Sequence, residues 1–239
     1  MVQGRLKWSL GSRATTKGLL FIAPWLIGFL TFTVYPICAS AYFSLTRYDV
    51  IRPPRFVGLE NYVELMTRDR TMRVVAGNSL WWIAVAVPLG VVSPFLLANL
   101  LNKEFAGRSV FRAIFFLPSV IPVVASALTW QWLLNTNYGL INGFLMSNGL
   151  TRIPFLSNPE LAKPSLAVID AWVKGGSMVI FLAALQDVPR SLYEAAVVDG
   201  ASAWDRFWHV TVPMCTPAML FLLITGIIGG LQYFGLPWL

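Results

Sequence analysis

The chain is 239 residues long, 56% hydrophobic and only 12% charged, with a mean hydropathy of +0.65. That balance excludes an ordinary soluble domain and marks an integral membrane protein. The formal net charge of +7 fits a membrane protein with a basic cytoplasmic face, and no basic-aromatic platform for nucleic acid is visible.

Residues 1–17 form a basic tail with Arg5, Lys7, Arg13 and Lys17 and no acidic residue, which argues for a cytoplasmic amino terminus. The apolar run behind it exceeds the ~7–15 residues of a signal-peptide core and lacks a small-x-small cleavage site, so it reads as a retained anchor. Five stretches, 18–45, 77–101, 111–134, 165–185 and 214–234, reach the ~20 apolar residues that a helical span needs. They are continuous rather than alternating, so residues 18–239 are predicted to be a transmembrane domain of the all-α, multi-span helical class. Prolines at 24, 36, 88, 94, 118 and 122 predict kinked helices around a path, although membrane helices carry more proline in any case. Alternation of the spans puts loop 187–213 in the cytoplasm. The loop after the first span pulls the other way, since Arg47, Arg52, Arg55, Arg68, Arg70 and Arg73 make it more basic than either internal loop.

The fourth span holds Asp170 and Lys174, four apart with the acid first, the favourable order for a same-face helix pair. A charge in mid-bilayer costs ~2.5–3.5 kcal/mol on insertion scales and tends to mark function. The plainer reading is mutual neutralisation near the outer interface, with Lys174 snorkelling. Aromatic and amide residues gather at Trp130, Gln131 and Trp132, at Trp172, and at Gln232, Tyr233 and Phe234. Flat rings beside amides suit a sugar, and interfacial aromatic belts give the same pattern. Asn78, Gln131, Asp170, Lys174, Gln232 and Tyr233 are the candidate path residues.

Loop 187–213 has its own grammar. Ser191-Leu192-Tyr193-Glu194 predicts a capping box, a helix from Leu192 and a stop at Gly200. Ser202 with Asp205 predicts a second cap, and Pro213 marks entry into the fifth span. Helices this short fall below the ~12–15 residues at which isolated helices become marginal, so they need a packing partner. Ala195 and Ala196 would let a partner approach closely, with Glu194 and Asp199 at the edge. Alternatively, Glu194 only closes its own cap and the alanines are simply good helix formers.

The pattern Glu194, Ala195, Ala196, Gly200, Val210, Val212 and Pro213 resembles the signature cytoplasmic loop of the permease subunits of ATP-driven (ABC) importers, with valines where that family usually has isoleucine and leucine. The likeness narrows to the maltose- and glycerol-phosphate-type sugar permeases through Ala23-Pro24, Tyr35-Pro36, Phe56-Val57-Gly58-Leu59-Glu60-Asn61-Tyr62, Phe116-Leu117-Pro118 with Trp130, Tyr138-Gly139-Leu140-Ile141-Asn142, and the run 181–186. The resemblance implies a type I importer permease core in a prokaryotic cell membrane. It also implies a coupling loop at 187–213 bearing Glu194, Ala195, Ala196, Asp199, Gly200, Val210, Val212 and Pro213. Its implied partners are cytoplasmic ATPase subunits, a second permease subunit, an external solute-binding protein and membrane lipid. ATP and magnesium would sit on the ATPase, with no cofactor on this chain. Such permeases carry a sixth core helix after the fifth, and the expectation here is five spans, with the sixth missing.

No Gly-x-x-x-x-Gly-Lys-Ser/Thr phosphate loop occurs in the sequence, so energy from ATP would have to come through a partner. Cys38 and Cys215 have no metal or redox spacing, and His209, the only histidine, has no nucleophile or second histidine nearby. Neither a catalytic residue nor a metal site is expected. The competing readings are an ion-coupled secondary transporter or channel, which would leave the hairpin unexplained, and last a membrane enzyme.

Overall fold

The computed structural model describes residues 3–233, with side chains from Thr15 onward. The side chains of Arg5, Lys7 and Arg13, and all of Phe234, lie outside the described residues. The chain divides into two compact units, Met1–Val74 and Val75–Leu239.

In the first unit, α1 (Gln3–Phe29) passes through a widened π turn, Leu30–Val34, into α2 (Tyr35–Ser44). The N–H of Tyr35 bonds five residues back, to Leu30. Pro36 follows at once, and a proline has no N–H for the usual four-residue bond. The wide turn moves the hydrogen-bond register where that bond would have been lost. Two short strands, β1 (Thr46–Arg47) and β2 (Arg55–Phe56), pair antiparallel, and α3 (Glu60–Thr67) closes the unit. Asn61 Nδ2 donates to the carbonyls of Ser44, the last residue of α2, at 2.8 Å and of Thr46 in β1 at 2.9 Å; the first is among the carbonyls a helix leaves unpaired at its end. The span Thr15–Ser44 has none of its apolar window buried within the chain.

The second unit begins within α4 (Arg70–Leu101) and continues with α5 (Arg108–Phe116), a short 3-10 turn (Leu117–Val120), α6 (Val123–Leu133) and α7 (Leu140–Ser147). Then come α8 (Pro159–Trp172), α9 (Gly175–Gln186), α10 (Arg190–Val198), α11 (Ala203–Arg206), a second π turn (Phe207–Thr211) and α12 (Val212–Leu231). Its main core packs Phe95, Ala98 and Leu101 of α4 with Met178, Phe181, Leu182 and Leu185 of α9 and Cys215 of α12. Small residues at this seam, Ala98 and Cys215, are fully buried, which allows the close approach on which helix packing in lipid depends.

Three described helices are long and apolar enough to cross a membrane, and counting two bent pairs as one span each brings the total to five. The structure bends in the third span, where Pro118 and Pro122 predict a kink, and also in the fourth, where the sequence predicts none. The third span turns by 101° between Val120 and Val123, and the fourth by 51° between Trp172 and Gly175. Pro122 accounts for the first bend, because proline restricts the residue before it to extended backbone; Ile121 has ψ 129°, whereas Leu117 before Pro118 stays helical. At the second bend, Gly175 lies directly on the backbone of Phe115 and Phe116, where a Cβ would overlap the Phe115 carbonyl oxygen. The fifth span also starts earlier than expected, since Ala203–Leu231 is one continuous apolar helix. Pro213 therefore sits inside a helix rather than opening one. Val212 N–H bonds back to Phe207, the same accommodation seen before Pro36.

Candidate functional site

The loop between the last two spans is a helix, glycine turn, helix, as the sequence predicts, with one correction. The Ser191–Glu194 capping box does not form: α10 starts at Arg190 on Pro189, with no side-chain cap. Proline biases Val188 toward extended backbone, and Val188 is buried, so the boundary is set one turn position early and Ser191 lies within the helix. The far end is a full Schellman closure. Gly200, at φ +79°, donates to the Val197 carbonyl, and Ala201 donates to that of Ala196. Ser202 and Asp205 then form the expected reciprocal capping box. The Tyr193 hydroxyl lies 3.0 Å from Thr211 Oγ1, tying α10 to the foot of the long helix, and Thr211 is buried.

Glu194, Ala195, Asp199, Gly200 and Pro213 are exposed, whereas Ala196, Val210 and Val212 are half-buried. Val198 is 87% exposed and Val197 53%. A nine-residue helix thus presents apolar side chains that nothing among the described residues covers. His209 lies in the second π turn, its Nδ1 2.9 Å from the Asp205 carbonyl oxygen, a contact that serves the local turn.

Deeper in the second unit lies a cavity of about 200 Å³ walled by α4, α8, α9 and α12. Asp170 Oδ2 and Lys174 Nζ are 3.3 Å apart. The acid ends α8, and the lysine occupies the break before α9, so the pair spans the bend instead of lying along one helix face as expected. Gly90 of α4 faces it, and a Cβ there would stand 3.4 Å from Lys174 Cε. On the other side Trp82 and Tyr233 stack with ring centroids 3.9 Å apart. The Tyr233 hydroxyl is buried and has no hydrogen-bond partner among the described residues. Ser177 and Thr225 add hydroxyls, and Gly226, Gly229 and Gly230 leave much of the α12 wall as bare backbone.

The comparisons with known proteins fit this arrangement. Residues 86–237 match the family model described as "Binding-protein-dependent transport system inner membrane component". The chain belongs to that family. The chain is 37% identical over 219 residues to a probable ABC transporter permease of Bacillus subtilis, covering 91% of this chain and 71% of the relative. A trehalose/maltose transport system permease of Thermococcus litoralis is 32% identical, with 98% and 79% covered. A lactose transport system permease of Rhizobium radiobacter is 34% identical, with 91% and 74% covered. Among solved structures, a bacterial ABC transporter involved in import of the acidic polysaccharide alginate superposes with a TM-score of 0.80 at 25% identity, over 96% of this chain and 77% of that one. A second, at 0.78 and 26% over 93% of this chain and 74% of that one, is the alginate transporter in complex with an alginate pentasaccharide-bound periplasmic protein. The chain is therefore an all-α, multi-pass inner-membrane permease of an ABC importer.

Of the candidate path residues, the permease brings Asp170, Lys174 and Tyr233 together in the cavity. Asn78, Gln131 and Gln232 are exposed and line no part of it. Sequence reasoning missed Trp82, Ser177, Thr225 and the glycine wall. The signal was present in α12, where Leu222, Gly226, Gly229 and Tyr233 recur at helical spacing and so share one face.

Proposed function

We propose that this permease subunit forms the membrane pathway for a sugar or related polyol and couples it to a separate ATPase through loop 187–213. The observation that carries the substrate class is the 98% alignment of this chain with a trehalose/maltose permease. The cavity supports it, because hydroxyl, carboxylate and ammonium groups beside aromatic rings suit a polyhydroxylated ligand with apolar C–H faces. In this reading Glu194, Ala195, Ala196, Asp199, Gly200, Val210, Val212 and Pro213 form the coupling element. The chain itself performs no chemistry; ATP and magnesium belong to the cytoplasmic subunits. A second permease subunit completes the pathway, and an external solute-binding protein delivers the cargo.

The mechanism follows from two global states biased by nucleotide and by cargo. Closure of the ATPase pair moves the docked α10, and the long helix carries that movement to the cavity wall. The test is Glu194→Lys and, separately, Gly200→Pro in the assembled complex. Both should reduce ATPase co-purification and cargo-stimulated hydrolysis about tenfold, the equivalent of ~1.4 kcal/mol of docking energy. Unchanged values in both variants would overturn the coupling role.

A further inference from the structure

We propose that the Asp170–Lys174 pair is a charge filter that admits uncharged saccharides to the cavity and turns away anionic ones. The proposal rests on the sugar-path reading above and adds the cargo's charge. Relatives and solved neighbours do not fix that charge, since they include a lactose permease and an importer of an acidic polysaccharide.

The argument begins with the inventory of the cavity wall. Asp170 and Lys174 are its only charged groups among the described residues, so the cavity is formally neutral. The acid is the deeper partner, its side chain 12% exposed against 38% for the lysine. With Nζ and Oδ2 3.3 Å apart, any carboxylate or phosphate reaching the ammonium also comes close to Asp170. There the carboxylate's repulsion cancels the ammonium's attraction, so the neutral pair leaves an anion's lost hydration uncompensated. A hydroxyl meets no such penalty. Asp170 has lone pairs beyond the one facing Lys174, the ammonium has spare protons, and the Tyr233 hydroxyl is unpartnered among the described residues, so donors and acceptors for a polyol are all present.

Spectra that register weak contacts suit the test. Saturation-transfer NMR on the assembled importer in detergent would use maltose as the neutral probe and a digalacturonate as the anionic one. Wild type should give transfer to maltose and at least roughly tenfold less to digalacturonate. Asp170→Asn frees Lys174 and should bring the digalacturonate signal up to that of maltose. The double variant Asp170→Asn with Lys174→Gln removes both charges and should again exclude digalacturonate, which a merely loosened cavity would not do. Equal wild-type signals for both probes, no gain in Asp170→Asn, or a gain in the double variant would each overturn the filter while leaving the sugar path standing. Absence of wild-type transfer to either probe would overturn both readings.

Discussion

Asn61 and Asn142 occupy corresponding roles in the two units. Each lies in a motif that the sequence associates with sugar permeases, and each spends its amide on backbone. Asn142 is 1% exposed; it donates to the carbonyls of Asn135 and Ile153 and accepts from the Ile153 N–H at 2.8 Å. These residues fix loops at span ends instead of touching cargo, so the motif marks the family through its fold. Replacing Asn142 by Ala removes three hydrogen bonds and leaves the Ile153 N–H without its partner, while the Asn135 and Ile153 carbonyls keep the N–H groups of Gly139 and Phe155; the expected loss is roughly 1–3 kcal/mol. Thermal unfolding in detergent should show a melting temperature lower by several degrees; an unchanged one would mean the tether contributes nothing. Gly200 makes a different residue-scale case. A Cβ there meets nothing within 4 Å, so Gly200→Ala costs only the left-handed backbone, ~1–2 kcal/mol. That substitution should weaken ATPase co-purification less than Gly200→Pro, which cannot adopt the required φ.

At the scale of elements, hydropathy located the spans because lipid demands long apolar runs. It could not locate the bends, because averaging over a window hides whether a proline or glycine inside it is tolerated by the neighbours. Pro36 and Pro213 are absorbed by π turns, whereas Pro122 follows the extended Ile121 at a turn of 101°; the difference lies in the backbone of the residues before the proline. The missed Ser191 cap has a local origin, since the favourable pattern lost to Pro189 two residues earlier. For the break in the fourth span, the deciding contact is Gly175 on the Phe115–Phe116 backbone. Gly175→Ala forces either α9 or the end of α5 to move, an overpacking cost of roughly 1–3 kcal/mol. Gly176→Ala, next in sequence, meets nothing within 4 Å and should be neutral or slightly stabilising. A thermal-stability comparison of the two variants reads this directly; equal effects would show that the close approach does not set the bend.

Across the second unit, the hairpin and the cavity share one element. The continuous helix Ala203–Leu231 begins at the capped end of the docking loop and contributes Gly226, Gly229 and Gly230 to the cavity wall. In the proposed mechanism this helix of 29 residues carries a displacement from its foot to the cavity. The grip of α10 on it includes the part-buried contact from Tyr193 to Thr211, whereas Glu194 and Val198 are exposed. Docking and transmission are therefore separable. Tyr193→Phe keeps the exposed face for the ATPase but loses a hydrogen bond worth ~1 kcal/mol, equivalent to about a fivefold shift between two coupled states. The expected result in proteoliposomes is normal ATPase co-purification and basal hydrolysis, with cargo transported per ATP reduced several-fold. If transport per ATP is unchanged, the movement passes by another route, through the buried contacts of Val188 and α9. If co-purification falls as well, Tyr193 belongs to the docking face, and the lever begins one helix earlier.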